Sequence, residues 1–358
     1  MTPELLVAGV MALALIIYTL SAGADFGSGV WELLARGELG ARKKAIIHRA
    51  IGPIWEANHV WLILIVVLLF VCFPAAHAAV TTALHVPLTL MLIGVVLRGS
   101  AYVFRAYDVD PGGPGARGWG RVFAISSLVT PITLGVVLGA LSDGIERDPA
   151  SGRVVTDFVS AWLRPYPIAV GVFALALFAF LAAIYLVHEA GDDEPAVKAS
   201  FRADARAAGL AVGGAALVAF LVADEGAPRL YASLAGAAWA PALHVCTGIA
   251  ALLALAANER RRDQAARAAA IVQAALIVSG WALAQYPYLA APGYAIAESA
   301  APTVVLWPVL GALAAGALLL VPALGYLFLT FKRRGGHDEA GAPAVTSGAR
   351  DVGSSGRG

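Results

Sequence analysis

The sequence predicts an all-α, polytopic transmembrane protein. Two compositional observations and one pattern predict it. Of the 358 residues, 59% are hydrophobic and only 14% are charged. A soluble domain carries about a quarter charged residues, so this chain has too few to coat a water-facing surface. The pattern is a series of apolar runs, each near the roughly 20 residues that a helix needs to cross a bilayer. The runs are too long for barrel strands, and a helix satisfies its own backbone hydrogen bonds in hydrocarbon.

Nine such runs occur, at about 4–23, 53–73, 78–100, 121–141, 166–187, 207–223, 240–257, 268–286 and 304–331. The first two can extend, forward to about Leu34 and back to about Ala45. The first run starts almost at Met1 without a positive n-region, so it reads as a retained helix rather than a cleaved signal. The abundant Gly and Ala suit close helix packing. The predicted organisation is a four-helix bundle over 1–142 and a second over 143–287. An outer loop and a peripheral ninth helix follow over 288–334, then a disordered tail over 335–358.

The connecting segments alternate in charge. Arg36, Arg42, Lys43, Lys44 and Arg49 lie between the first two runs. Arg105 and Arg117 lie between the third and fourth, with Arg98 and Arg121 at the edges; Lys198, Arg202 and Arg206 follow the fifth. Arg260, Arg261, Arg262 and Arg267 follow the seventh, and Lys332, Arg333 and Arg334 close the ninth. The segments between these are poor in Lys and Arg or balanced by acids. The positive-inside rule then places the basic loops in the cytoplasm, the amino terminus outside and the carboxyl terminus inside. Trp31, Trp119, Trp162, Trp239 and Trp307 fall near the run boundaries, where interfacial anchors are expected.

Composition also excludes function classes. The net charge is +1 and no basic face suits nucleic acid. Cys72 and Cys246 each sit in an apolar run, so neither a disulfide framework nor a thiolate metal site is expected. No pair of His or Met residues is spaced as haem ligands on facing helices.

Ionisable groups inside hydrocarbon cost several kcal/mol, roughly 2.5–3.5 on insertion scales, so each is a functional candidate. Three stand out: Asp25 in GADFGSG, Glu56 in IGPIWEANHVW and Arg98 in VVLRGSAYVFR. The topology puts all three in the half of the membrane that carries the basic loops. Asp25 and Glu56 would lie roughly 15 Å inside their helix ends. Burial raises a carboxylate's pKa and a nearby Arg lowers it, a balance that suits proton exchange. The plainer reading of Asp25 and Arg98 is a static ion pair that fixes packing. His59, one turn from Glu56, either joins such a relay or packs as a bystander. Arg105 is a weaker candidate. Trp55 and Trp61 flank Glu56, either as packing residues or as contacts for a quinone or lipid.

GADFGSGVWELLA, IGPIWEANHVWLI and LRGSAYVFR, in this order and spacing, resemble the first three helices of cytochrome bd oxidase subunit II. QYPYLAAPGYAIAESAAP, before a long helix ending in KRR, resembles the same family. From Leu141 to Ala268 the likeness is in hydropathy alone. Some members carry WDGN where this chain has WEAN, which lengthens the acid's reach by one methylene at Glu56.

The resemblance implies a haem-free subunit in the bacterial inner membrane. Its partner is a haem-bearing subunit I holding haems b and d, where quinol is oxidised and oxygen reduced to water. A small accessory subunit, a bound lipid or a structural quinone fits the same family. Asp25, Glu56 and Arg98 then correspond to residues that conduct cytoplasmic protons. Two other classes stay open on the residues alone: a proton-coupled secondary transporter and a purely structural scaffold subunit.

Overall fold

A computed structural model describes residues 2–51, 55–107, 113–148, 150–151, 153–157 and 159–334. The tail expected to be disordered lies outside them. The described residues are mostly helical, in the order α1 (Pro3–Leu34), α2 (Gly37–Ile51), α3 (Trp55–Cys72), α4 (Pro74–Ala83), α5 (His85–Ala106) and α6 (Pro114–Asp143). Then come α7 (Pro165–Glu189), α8 (Pro195–Gly226), α9 (Pro228–Gly236), α10 (Ala240–Glu259) and α11 (Asp263–Gln285). A short hairpin, β1 (Tyr288–Ala290) with β2 (Tyr294–Ala295), precedes α12 (Ile296–Ser299) and α13 (Thr303–Arg334). Residues up to Leu306 form one compact unit, and the chain from Trp307 onward is a second.

Among the described residues, eight helices are long and apolar enough to cross a membrane. A ninth span is reached only by counting α3 and α4 together, although they meet at 119°. Here the structure corrects the sequence reading. The third run was expected to begin at 78, but the straight helix begins at His85, and Pro74–Ala83 is a separate short helix. Pro74 starts α4, where a missing N–H costs nothing. The same layout recurs in the second half, where Pro228 opens the short α9 between α8 and α10. The segment between the first two spans also holds an unexpected helix, α2, whose charged sequence GELGARKKAIIHRAI marks it as amphipathic rather than spanning.

α7 is the centre of the fold. Nearly every residue from Leu177 to Val187 is buried. A helix apolar on all sides is one packed on all sides. α1, α6 and α8 pack directly on it, and glycines set the distances. A Cβ at Gly27 of α1 would lie 1.9 Å from the Phe178 carbonyl oxygen of α7. A Cβ at Gly171 of α7 would lie 2.7 Å from the Ile132 carbonyl of α6. Trp31 completes the α1–α7 seam. Its indole N–H donates to the Ala179 carbonyl at 2.8 Å, so it is a core residue and not the interfacial anchor its position suggested.

The outer surface is apolar where lipid would meet it. Phe70, Leu92, Leu210, Leu221 and Leu252 are all more than half exposed. A patch of this extent is untenable in water and ordinary in a bilayer.

The basic segments after α1, α7 and α10 meet at one end of the first unit. Arg42 pairs with Glu194, and Lys43 with Asp204. Asp263 bridges Lys198 at 2.9 Å and Arg202 at 2.7 Å. These contacts tie α2, α8 and α11 together at what is here termed the basic end. At the opposite end, the segment after α11 closes over the helix termini. Ala291 N donates to the Leu141 carbonyl at 2.8 Å, and Ala301 N to the Cys72 carbonyl at 2.8 Å.

Substituting Gly27 by Val forces α1 off the α7 backbone. Overpacking of this kind costs about 1–3 kcal/mol, so the detergent-solubilised protein should melt several degrees lower. Gly213→Ala, where a Cβ meets nothing within 4 Å, should leave the melting temperature unchanged or slightly raised. Equal melting temperatures for the Gly27 variant and the parent would refute the close α1–α7 contact.

Candidate functional site

Asp25 on α1 and Arg98 on α5 lie at matching depth, roughly 12–14 Å from the basic-end termini of their helices at 1.5 Å per residue. Each is only 2% exposed. The guanidinium engages the carboxylate with two parallel bonds, Nη1 to Oδ2 at 3.0 Å and Nη2 to Oδ1 at 2.7 Å. Nη2 also donates to the Asp25 backbone carbonyl at 2.9 Å, and Nε donates to Ser127 Oγ at 2.9 Å. Two rings close the site, with Cζ 4.7 Å from the Phe26 centroid and 4.5 Å from that of Phe123. Bidentate geometry is the strong form of a carboxylate–arginine bond, and a Lys cannot reproduce it.

Each helix supplies its part for a local reason. Ser28 Oγ donates to the Asp25 carbonyl at 2.5 Å, so that oxygen accepts from two side chains. Ser127 donates to the Phe123 carbonyl at 2.6 Å and keeps a lone pair for Arg98. Pro131, inside α6, lacks the N–H that would otherwise bond the Ser127 carbonyl. α6 therefore carries its polar face, Ser126, Ser127 and Thr130, opposite the ion pair.

Buried polar groups with unmet bonds lie on α1 and at the start of α3. The Tyr18 hydroxyl and both amide atoms of Asn58 are buried and have no hydrogen-bond partner among the described residues. Tyr18 and His59 are within electrostatic reach of both Asp25 and Arg98. The His59 ring meets Phe26 edge-on, with centroids 6.4 Å apart, one ring away from the guanidinium. Buried polar atoms of native proteins nearly always find a partner, often water.

The predicted residues therefore divide. Asp25 and Arg98 are brought into contact, and His59 lies next to them. Glu56 and Trp55 belong to the first turn of α3, but their side chains lie outside the described residues. Trp61 packs with Tyr18, Phe26, Met91 and Phe178, a core role. Arg105 does not join the Asp25 pair. It binds Glu32, two turns along α1, whose Oε1 is also 3.5 Å from His48 Nε2. Glu32 is 4% exposed and its other oxygen is unpartnered. It was missed because it stands near the end of an apolar run, where an exposed acid is unremarkable. The signal was its spacing: seven residues past Asp25 returns to the same helix face. Among the described residues, no group of three or more His, Cys, Asp or Glu could hold a metal ion.

Comparison with known proteins gives one consistent answer. The sequence profile described as cytochrome bd terminal oxidase subunit II matches residues 3–331. Cytochrome bd ubiquinol oxidase subunit 2 of Bacillus subtilis is 31% identical over 143 residues, 39% of this chain and 41% of that protein. Cytochrome bd-I ubiquinol oxidase subunit 2 of Escherichia coli K12 is 28% identical over 175 residues, 48% of this chain and 45% of that protein. These matches thus take in less than half the length of either relative. A chain of the bd oxidase structure from Geobacillus thermodenitrificans superposes with a TM-score of 0.75 at 26% identity, covering 92% of this chain and 99% of that one.

Arg98→Met should destabilise the solubilised protein by about 3–5 kcal/mol, the cost of orphaning one member of a buried pair. Asp25→Leu combined with Arg98→Met should recover part of that loss in a thermal melt. A double variant as unstable as the sum of the two single losses would show that the residues do not act as a pair.

Proposed function

The chain belongs to the cytochrome bd terminal oxidase subunit II family, and on that footing we propose that it is the haem-free subunit of a bd-type quinol:oxygen oxidoreductase. In this reading it completes a heterodimer with a haem-bearing subunit I, in which haems b and d oxidise quinol and reduce oxygen. The relatives named above are called ubiquinol oxidase subunits, which supports the assignment. The basic end faces the bacterial cytoplasm, as the positive-inside rule directs, with the amino terminus outside.

This subunit's own part is to help conduct protons from the cytoplasmic side toward the partner. The observation that carries the proposal is the buried Tyr18 hydroxyl, which has no hydrogen-bond partner among the described residues and lies within electrostatic reach of a fixed ion pair, together with the orphaned amide of Asn58 next to His59 on α3. Such atoms suit bound water, and a proton path needs donors and acceptors in series. Both Asp25 oxygens are already held by Arg98, so a proton can reside there only if the pair opens. The pair is therefore assigned the role of a fixed counter-charge. Glu56 and His59, on the adjoining turn of α3, are assigned the carrying role, and Trp55 a contact to quinone or lipid. A small accessory subunit remains compatible with this assembly.

The scaffold reading has one observation in its favour: the Asp25–Arg98 geometry is that of a static pair. Glu56→Gln, in the complex with its haem-bearing partner, decides between them. Quinol-driven oxygen consumption should fall at least roughly tenfold, equivalent to about 1.4 kcal/mol on the barrier, with proton uptake slowed in parallel. Unchanged turnover and uptake would leave the subunit a scaffold. Failure of the chain to purify with any haem-containing partner would remove the oxidase reading altogether.

A further inference from the structure

At the basic end, α1, α2, α5 and α6 enclose a cavity of about 300 Å³. Glu32, Lys44, Arg105, Arg117 and Arg121 line it. Glu32 is already matched by Arg105 and sits beside His48, so its charge is met. Lys44, Arg117 and Arg121 are not. Among the described residues none of the three has an acidic partner within salt-bridge distance. Three cations without an acidic partner among the described residues repel each other around one concavity, and the fold holds them there.

The face of α6 below the cavity says what kind of anion fits. Arg117, Arg121, Ile125 and Val129 follow at four-residue spacing, so they form one continuous strip along the helix. The first two are charged; Ile125 is 58% and Val129 36% exposed. Leu33, on the rim, is 47% exposed. Trp119 stacks on Phe104 at 4.7 Å on the neighbouring turn, as aromatic residues do at headgroup depth. α6 also begins here, at Pro114, so its positive helix end faces the same side. A free phosphate would use the cations and leave the strip bare. A phosphodiester carrying acyl chains would use both.

We propose that this cavity binds the headgroup of an acidic phospholipid, with Lys44, Arg117 and Arg121 around the phosphodiester and an acyl chain along Ile125 and Val129. Basic pockets between membrane helices select such headgroups by charge. The site is separate from the polar core around Asp25, and its occupancy is read without measuring oxygen consumption.

The test uses the complex as extracted from membranes, exchanged into phosphatidylcholine vesicles with or without an equal part of phosphatidylglycerol. Retained lipid is counted by native mass spectrometry, and the melting temperature is recorded. The parent should keep phosphatidylglycerol and melt higher with it. The Arg117→Gln/Arg121→Gln variant should bind it roughly thirtyfold more weakly, at about a kcal/mol for each cation near the surface. Its melting in pure phosphatidylcholine should match the parent, which separates lost binding from misfolding. Equal retention by variant and parent, or equal stabilisation by the two vesicle types, would overturn the proposal. So would stabilisation by inorganic phosphate alone equal to that by phosphatidylglycerol, which would make the ligand a free anion.

Discussion

The bonding of Arg98 to Asp25 is the constraint around which the first half of the bundle is arranged. A charge in hydrocarbon is tolerated only when its partner and its remaining donors are all placed. Four hydrogen bonds and two aromatic faces meet that requirement here, and they come from α1, α5 and α6. Those helices cannot slide along one another without breaking bonds that no solvent would replace. The register of three spans is thus set at one residue.

Beyond this point the fold relies on fit rather than charge. α7 carries no ionised side chain along its buried stretch, and α1 and α6 meet it through Gly27, Gly135 and Gly171. Lipid offers no hydrophobic gain for helix association, so close backbone approach supplies dispersion in its place. Charge returns at the basic end, where ion pairs of α2, α8 and α11 link the two halves of the chain. Among the described residues, ion pairs therefore act at the basic end and at the buried Asp25–Arg98 site, while close packing joins α7 to its neighbours.

The sequence disclosed the spans, their alternation and the buried acid and guanidinium because each is a departure from a strong background. An apolar run stands out from loops, and a lone charge stands out from an apolar run. It disclosed the Asp25–Arg98 contact only as a shared depth. What it hid lacks such contrast. α2 is an ordinary charged amphipathic segment, and α4 is a continuation of apolar residues whose 119° turn from α3 is marked in the sequence by Pro74 alone. Glu32 stood too near a helix end to look buried. Trp31 had the position of an anchor, and only the Ala179 carbonyl opposite it revealed a core role.

The separation of the central pair along the chain bears on how the protein is made. Asp25 and Arg98 are 73 residues apart. During synthesis the first helix leaves the ribosome carrying an acid with no counter-ion. An Asp at the centre of a membrane helix costs about 2.5–3.5 kcal/mol on insertion. Until α5 arrives, that helix has reason to linger at the translocation site. Biogenesis of the first five helices is then one commitment, sealed when the arginine enters, and a nascent chain ending before α5 would be an early substrate for quality control.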